Sequence, residues 1–116
     1  MPRVQHVAIR SENPEKLAKY YEDVFGWTRL RLGGGGGVHL TDGHINIAIL
    51  NTNGAPAGVE HIGVKVESMD EVKDGLAKYG VALEARPADN RAAEQRVVDP
   101  DGNSIDLSVR GFMYRA

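Results

Sequence analysis

Cysteine is absent from this chain, which excludes disulfides, zinc–thiolate sites and a cysteine nucleophile. Nothing in the chain therefore calls for an oxidising compartment. Long hydrophobic runs are also lacking. No stretch approaches the roughly 20 apolar residues of a membrane span, and the opening Met1-Pro2-Arg3-Val4-Gln5-His6 is not the apolar run of a signal peptide. A cytoplasmic location is the expectation. Charge of one sign is not in excess either. The 14 lysines and arginines against 16 aspartates and glutamates leave a net charge of −2 with the four histidines neutral. That gives no electrostatic case for nucleic acid or an anionic membrane surface as a partner. The 116 residues, 41% hydrophobic and 26% charged, have the composition of one compact domain with enough apolar surface for a core.

What is present is a pattern that occurs twice. Val4 to Arg10 alternates, with Val4, His6, Ala8 and Arg10 on one side and Gln5, Val7 and Ile9 on the other, which predicts a strand. Asn13 is a good N-cap and Pro14 suits a first helical position. Leu17, Tyr20, Tyr21, Val24 and Phe25 then make one helical face, ended by Gly26. Trp27 to Leu32 predicts a second strand, the glycine run Gly33 to Gly37 a loop, Val38 to Thr41 a third strand, Asp42-Gly43 a tight turn, and His44 to Leu50 a fourth strand. Residues 51–58, polar and turn-rich, read as a linker. The order then restarts. Val59 to Val66 predicts a strand, Ser68 and Glu71 a capping box, and Met69, Val72, Leu76 and Tyr79 an amphipathic helix. Further strands are expected at Val81 to Ala85, Glu94 to Val98 and Ser104 to Val109, with a loop at Pro87 to Arg91. His6-Val7-Ala8-Ile9-Arg10 matches His61-Ile62-Gly63-Val64-Lys65 type for type. The expected fold is α+β, with two tandem βαβββ modules, residues 1–50 and 59–116. Together they form a curved, mostly antiparallel eight-stranded sheet with helices on the convex side, because neither half can cover its own sheet and helix alone.

The chemistry follows from which side chains share the uncovered face. His6 and His61 stand at matching positions, opposite the aliphatic residues that face the helices. Asp106, flanked by Ile105 and Leu107, alternates to the same side. A carboxylate there is costly to bury without a cation or strong donors. Two imidazoles and one carboxylate around a cavity suit a divalent first-row metal with open positions for substrate. The alternatives are two hydrogen-bonded structural histidines and an Asp106 paired with Arg96 or Arg91. One parity of the Glu94 to Val98 strand faces the cavity, and Val97 and Val98, both apolar, leave open which; an arginine there, Arg96 or the neighbouring Arg91, would clamp an anionic substrate.

Four stretches carry a resemblance. They are His6 in the first strand, the helix exit Lys16 to Trp27 with its Tyr20-Tyr21-Glu22-Asp23-Val24-Phe25-Gly26, His61 in the restart, and Asp99-Pro100-Asp101-Gly102-Asn103-Ser104-Ile105-Asp106-Leu107. Nearly the whole chain resembles the vicinal oxygen chelate family, which holds glyoxalases, extradiol dioxygenases and bleomycin-resistance proteins. The resemblance implies a divalent metal (Fe, Ni, Zn or Mn) on His6, His61 and Asp106, and a small substrate chelated through vicinal oxygens. Glyoxalase-type members carry a fourth ligand, usually glutamate, on the last strand of the first half. Here the inward positions are His44, Asn46 and Ala48, and Asn46 takes the equivalent place. Extradiol dioxygenases carry an additional catalytic histidine, a role open to His39 or His44. The resemblance thus implies a glyoxalase-like lyase or isomerase, or an extradiol-type dioxygenase, with Asp106 and His39 as catalytic candidates and Asn46, His44 and Arg96 as substrate contacts. The other function class is a metal-free ligand-binding protein of the bleomycin-resistance type, whose members generally lack the triad. A homodimer is expected, since some family members complete the cup across a dimer.

Overall fold

A computed structural model describes residues 1–30, 37–83 and 93–113. Local signals set most element boundaries. Helix α1 (Pro14–Phe25) starts where the Asn13 side chain accepts the Lys16 N–H at 3.2 Å, with Pro14 in the first turn. It stops where Gly26 adopts a left-handed conformation (φ 71°) and donates its N–H to the Glu22 carbonyl at 2.9 Å. The remaining elements are β1 (Arg3–Ser11), β2 (Thr28–Leu30), β3 (Val38–Thr41), β4 (Asn46–Asn51), β5 (Gly58–Lys65), α2 (Asp70–Ala77), β6 (Gln95–Val98) and β7 (Ser104–Ser108).

The strands form one mixed sheet in the order β2-β3-β4-β1-β5-β7-β6. β1 lies parallel to β4 and β5 parallel to β7, while β1 and β5 meet antiparallel at the centre. The fold is thus α+β with two helices. Helix α1 covers one face: Ala18, Leu40, Ile47 and Ile49 are buried together, with Ile9, Leu17, Tyr21 and Trp27 packed around them. Helix α2 buries no residue fully, and Met69, Val72 and Leu76 are half-buried.

Several expectations need correction. Seven strands, not eight, are present among the described residues. Of the strand expected at Val81 to Ala85, residues 81–83 are outside any strand, and Glu84 and Ala85 lie outside the described residues. So do Arg31 and Leu32 of the expected second strand, Gly33 to Gly36 of the glycine run, and the loop at Pro87 to Arg91. β4 starts at Asn46 rather than His44, because the Asp42 carboxylate accepts the N–H groups of both His44 and Ile45, extending the turn. The capping box of α2 does not close as expected. Glu71 accepts the N–H of Glu67, Ser68 Oγ accepts that of Asp70, and Met69 is the cap residue.

The β1–β5 pair carries two register shifts, between Val4 and His6 and between Ala8 and Ile9. The first leaves Gln5 as an extra residue in β1, and the second leaves Glu60 as an extra residue in β5. Such bulges re-aim side chains. Here they put Gln5 beside His6 and Glu60 beside His61 on the face opposite α1. They also turn Val4, paired with Val64, to the other face, against the simple alternation.

Candidate metal centre

Cross-strand pairing gathers the functional side chains on that opposite face. His6 is the partner of Asn46 on one side and of Gly63 on the other. Gly63 pairs in turn with Asp106, and Asp106 with Arg96. His61 stands beside Ala8, and His39 beside Ala48. Paired residues share a face, so β6 presents Arg96, not Gln95 or Val97, to the site.

Each of three groups has one polar atom tied from behind and another turned inward. His6 Nδ1 lies 2.6 Å from Asn46 Oδ1 and donates to it. His61 Nδ1 donates to the carboxylate of Glu60. Asp106 Oδ1 accepts from Arg96 Nε at 2.5 Å. The inward atoms then meet. His6 Nε2 is 3.1 Å from His61 Nε2, and His61 Nε2 is 3.3 Å from Asp106 Oδ2. With both Nδ1 atoms serving as donors, the two Nε2 lone pairs face each other and demand a proton or a cation between them. Donors spaced by 3.1 and 3.3 Å match neighbouring ligands on an ion with bonds of roughly 2.1 Å. Imidazole nitrogen and carboxylate oxygen are donor types that a divalent metal takes, but among the described residues no group of three or more His, Cys, Asp or Glu is arranged to hold a metal ion.

Burial sharpens the electrostatics. His6, Asn46 and Asp106 are all buried. Burial is the main reason His6 is held at a pKa of about 4, with His61 and His39 adding to the effect and the Asn46 hydrogen bond opposing it. Its ring therefore stays neutral at pH 7 and keeps a lone pair for a metal. Glu60 is pushed upward by burial, but its hydrogen bond to His61 and the fields of His61, Arg96 and Arg10 leave it below the usual carboxylate range. Arg10 Nη2 lies 3.7 Å from its other oxygen. The alternative reading of Asp106 as the partner of Arg96 is realised in this geometry, and the same bond leaves Oδ2 facing His61.

The remaining candidates separate. His39 Nδ1 lies 3.1 Å from Asn46 Nδ2 and accepts its hydrogen, so His39 connects to His6 through the amide. Asn46, expected at the fourth ligand position, turns its oxygen to the His6 ring instead. His44 stands exposed in the turn before β4, away from the gathered side chains. Arg91 lies outside the described residues. Four residues were not foreseen. Glu60 and Gln5 each precede a histidine, and matching the two pentapeptides one residue further upstream would have flagged them. Phe112, fully buried, stacks on His6 with ring centroids 4.8 Å apart. Gly63 makes room for both, since a Cβ there would sit 2.7 Å from His6 Cβ and from Phe112 Cζ.

Residues 3–107 match the Glyoxalase/Bleomycin resistance protein/Dioxygenase superfamily, and the chain belongs to that family. Among solved structures it is similar to a methylmalonyl-CoA epimerase from Mycobacterium tuberculosis, at 16% identity and a TM-score of 0.68 over 90% of this chain and 85% of the other. It is also similar to a Mn(II)-bound glyoxalase from Novosphingobium aromaticivorans, at 22% identity and a TM-score of 0.68 over 92% of this chain and 38% of the other. An extradiol ring-cleaving dioxygenase from B.fuscum aligns at 19% identity and a TM-score of 0.68 over 94% of this chain and 32% of the other. The chain thus spans well under half the length of the glyoxalase and the dioxygenase. No curated protein matches its sequence. Among the described residues no helix is long and apolar enough to cross a membrane.

Proposed function

We propose that this chain is a divalent-metal-dependent enzyme of its superfamily, acting on a small substrate through two adjacent oxygens as a lyase or isomerase or as a ring-cleaving dioxygenase. His6, His61 and Asp106 would hold the metal. The observation that carries the reading is the meeting of their inward atoms at 3.1 and 3.3 Å, each group tied from behind by a different residue. A bound metal would supply Lewis acidity to a substrate oxygen. The chain's own residues do the rest. Asn46 fixes the tautomer of His6 so that Nε2 carries the lone pair. Arg96 neutralises Asp106 through Oδ1, with Oδ2 on the His61 side. His39, whose Nδ1 accepts from Asn46, presents an N–H at Nε2 in its neutral form and is the proton donor we assign. Phe112 and Ala8, both buried, exclude water beside His6.

The Arg96–Asp106 bond supports a second reading, a metal-free ligand-binding protein, because it satisfies the buried carboxylate without an ion. Elemental analysis of purified protein after reconstitution with Mn, Fe, Ni or Zn separates the two. Stoichiometric metal in the wild type and its loss in His61→Ala are expected. A wild type that retains no metal supports the binding-protein reading, and an unchanged His61→Ala places the ion elsewhere.

A further inference from the structure

We infer that Glu60 is a positioning residue: bulged out of β5, it fixes the His61 ring so that Nε2, not Nδ1, is offered to a divalent metal. This rests on the reading of His6, His61 and Asp106 as ligands. Adjacent residues of a regular strand point to opposite faces, so a residue directly before His61 would ordinarily lie on the helix side of the sheet, out of reach of the ring. The register shift between Ala8 and Ile9 removes that constraint. Ala8 pairs with His61 and Ile9 with Val59, leaving Glu60 without a partner position, and its carboxylate meets His61 Nδ1. Arg10 Nη2 steadies the second oxygen at 3.7 Å. Arg96 Nη2 is 3.4 Å from the same ring nitrogen, too distant to compete with the carboxylate for it.

Two consequences follow from a carboxylate behind a ligating imidazole. The Nδ1 hydrogen is pinned, which selects the tautomer with a lone pair on Nε2. The ring also becomes more basic and a stronger donor to a metal. His6 has only the neutral amide of Asn46 in the corresponding role, so the two histidines are unequal ligands, with His61 the stronger.

The test measures Mn(II) affinity by calorimetric titration and the His61 tautomer by 15N-resolved NMR of the metal-free protein, in the wild type, Glu60→Ala and Glu60→Gln. The metal-free wild type should show the Nδ1–H form. Glu60→Ala should lose it and bind Mn(II) about 10- to 100-fold more weakly. Glu60→Gln keeps an oxygen acceptor of the same shape, so it should retain the tautomer and lose less affinity; it also replaces Glu60→Ala as the test if that variant does not fold. Equal affinity and an unchanged tautomer in all three proteins overturn the inference while leaving the ligands in place. A wild type that binds no Mn(II) removes the ligand reading instead. The tautomer comparison alone then decides whether Glu60 fixes the ring.

Discussion

At Gly63 the backbone of β5 passes between His6 and Asp106, its partners on the two neighbouring strands. Phe112 lies over the gap. A methyl group there would press on His6 Cβ and Phe112 Cζ, each at 2.7 Å, and neither can retreat, since both residues are buried. Overpacking of a buried site typically costs about 1–3 kcal/mol. Gly63→Ala is therefore expected to lower the unfolding free energy by that amount, read as a lower urea midpoint at unchanged slope, and to displace the His6 ring. A stability within about 0.3 kcal/mol of wild type would show that the strand relaxes freely and that the gap has no packing role. At this scale the sequence was informative wherever alternation holds. His6, His61 and Asp106 reach the expected face because strand geometry sends every second residue there. Gln5 and Glu60 break that alternation, since a bulge arises from pairing between strands far apart in the chain, and only their matching places before the two histidines marked them.

The C-terminal segment after β7 behaves as an element of its own. Ser108 Oγ donates to Glu94 at 2.6 Å and accepts the Gly111 N–H at 2.9 Å. Glu94 also accepts the Val109 N–H at 2.8 Å, and Gln5 accepts the Phe112 N–H at 2.7 Å. These bonds bring Phe112 onto His6, and residues 109–113 lie beyond the stretch that matches the superfamily. Burial tends to raise the Glu94 pKa, but the Ser108 hydroxyl and the backbone donors more than offset this and hold it below 4.5. A carboxyl depressed on folding stabilises the native state above its unfolded pKa, and this stabilisation fades as pH falls through the native value. Glu94→Gln should thus cost about 1 kcal/mol at pH 7, after allowance for its partial exposure. The wild-type advantage should shrink as pH falls below 4.5, read from urea unfolding of both proteins across that range. A difference independent of pH would mean that the Glu94 charge does not anchor the segment. Periodicity could not reveal this tether, because hydrogen bonds from a strand edge to a tail have no repeat. It did reveal α1 and its local cap residues, but of the expected apolar face only Leu17 and Tyr21 pack on the core, around the buried Ala18, while Tyr20, Val24 and Phe25 are exposed. It placed the start of β4 too early, where a side chain of the preceding turn captured two backbone donors.

Across the whole molecule one device is used twice. Each central strand carries a histidine preceded by a bulged residue, Gln5 before His6 and Glu60 before His61, and the two strands meet antiparallel. The matching pentapeptides made the histidines legible as equivalents; the differing residues before them give each half its own task, one holding the tail and the other the ring. This arrangement bears on the reaction. Moving a proton between adjacent carbons needs a base within hydrogen-bond reach, with a suitable pKa. Glyoxalase-type relatives resembling this chain would supply a glutamate from the last strand of the first half. Asn46 stands there, neutral, with its oxygen already accepting from His6. The carboxylates brought near are committed: Glu60 lies behind His61, and Asp106 has one oxygen on Arg96. On the proposed reading Asp106 would hold the metal and so would not serve as the base. The metal-loaded protein is therefore expected to show little or no turnover of the methylglyoxal–glutathione adduct, and to prefer a substrate with vicinal oxygens and no thioether. An assay of purified, metal-loaded protein against both decides this. Turnover of the adduct at roughly 1–1000 per second, the ordinary enzyme range, would mean that a carboxylate reaches the substrate after all, and Asn46→Glu would then raise the rate little instead of creating it.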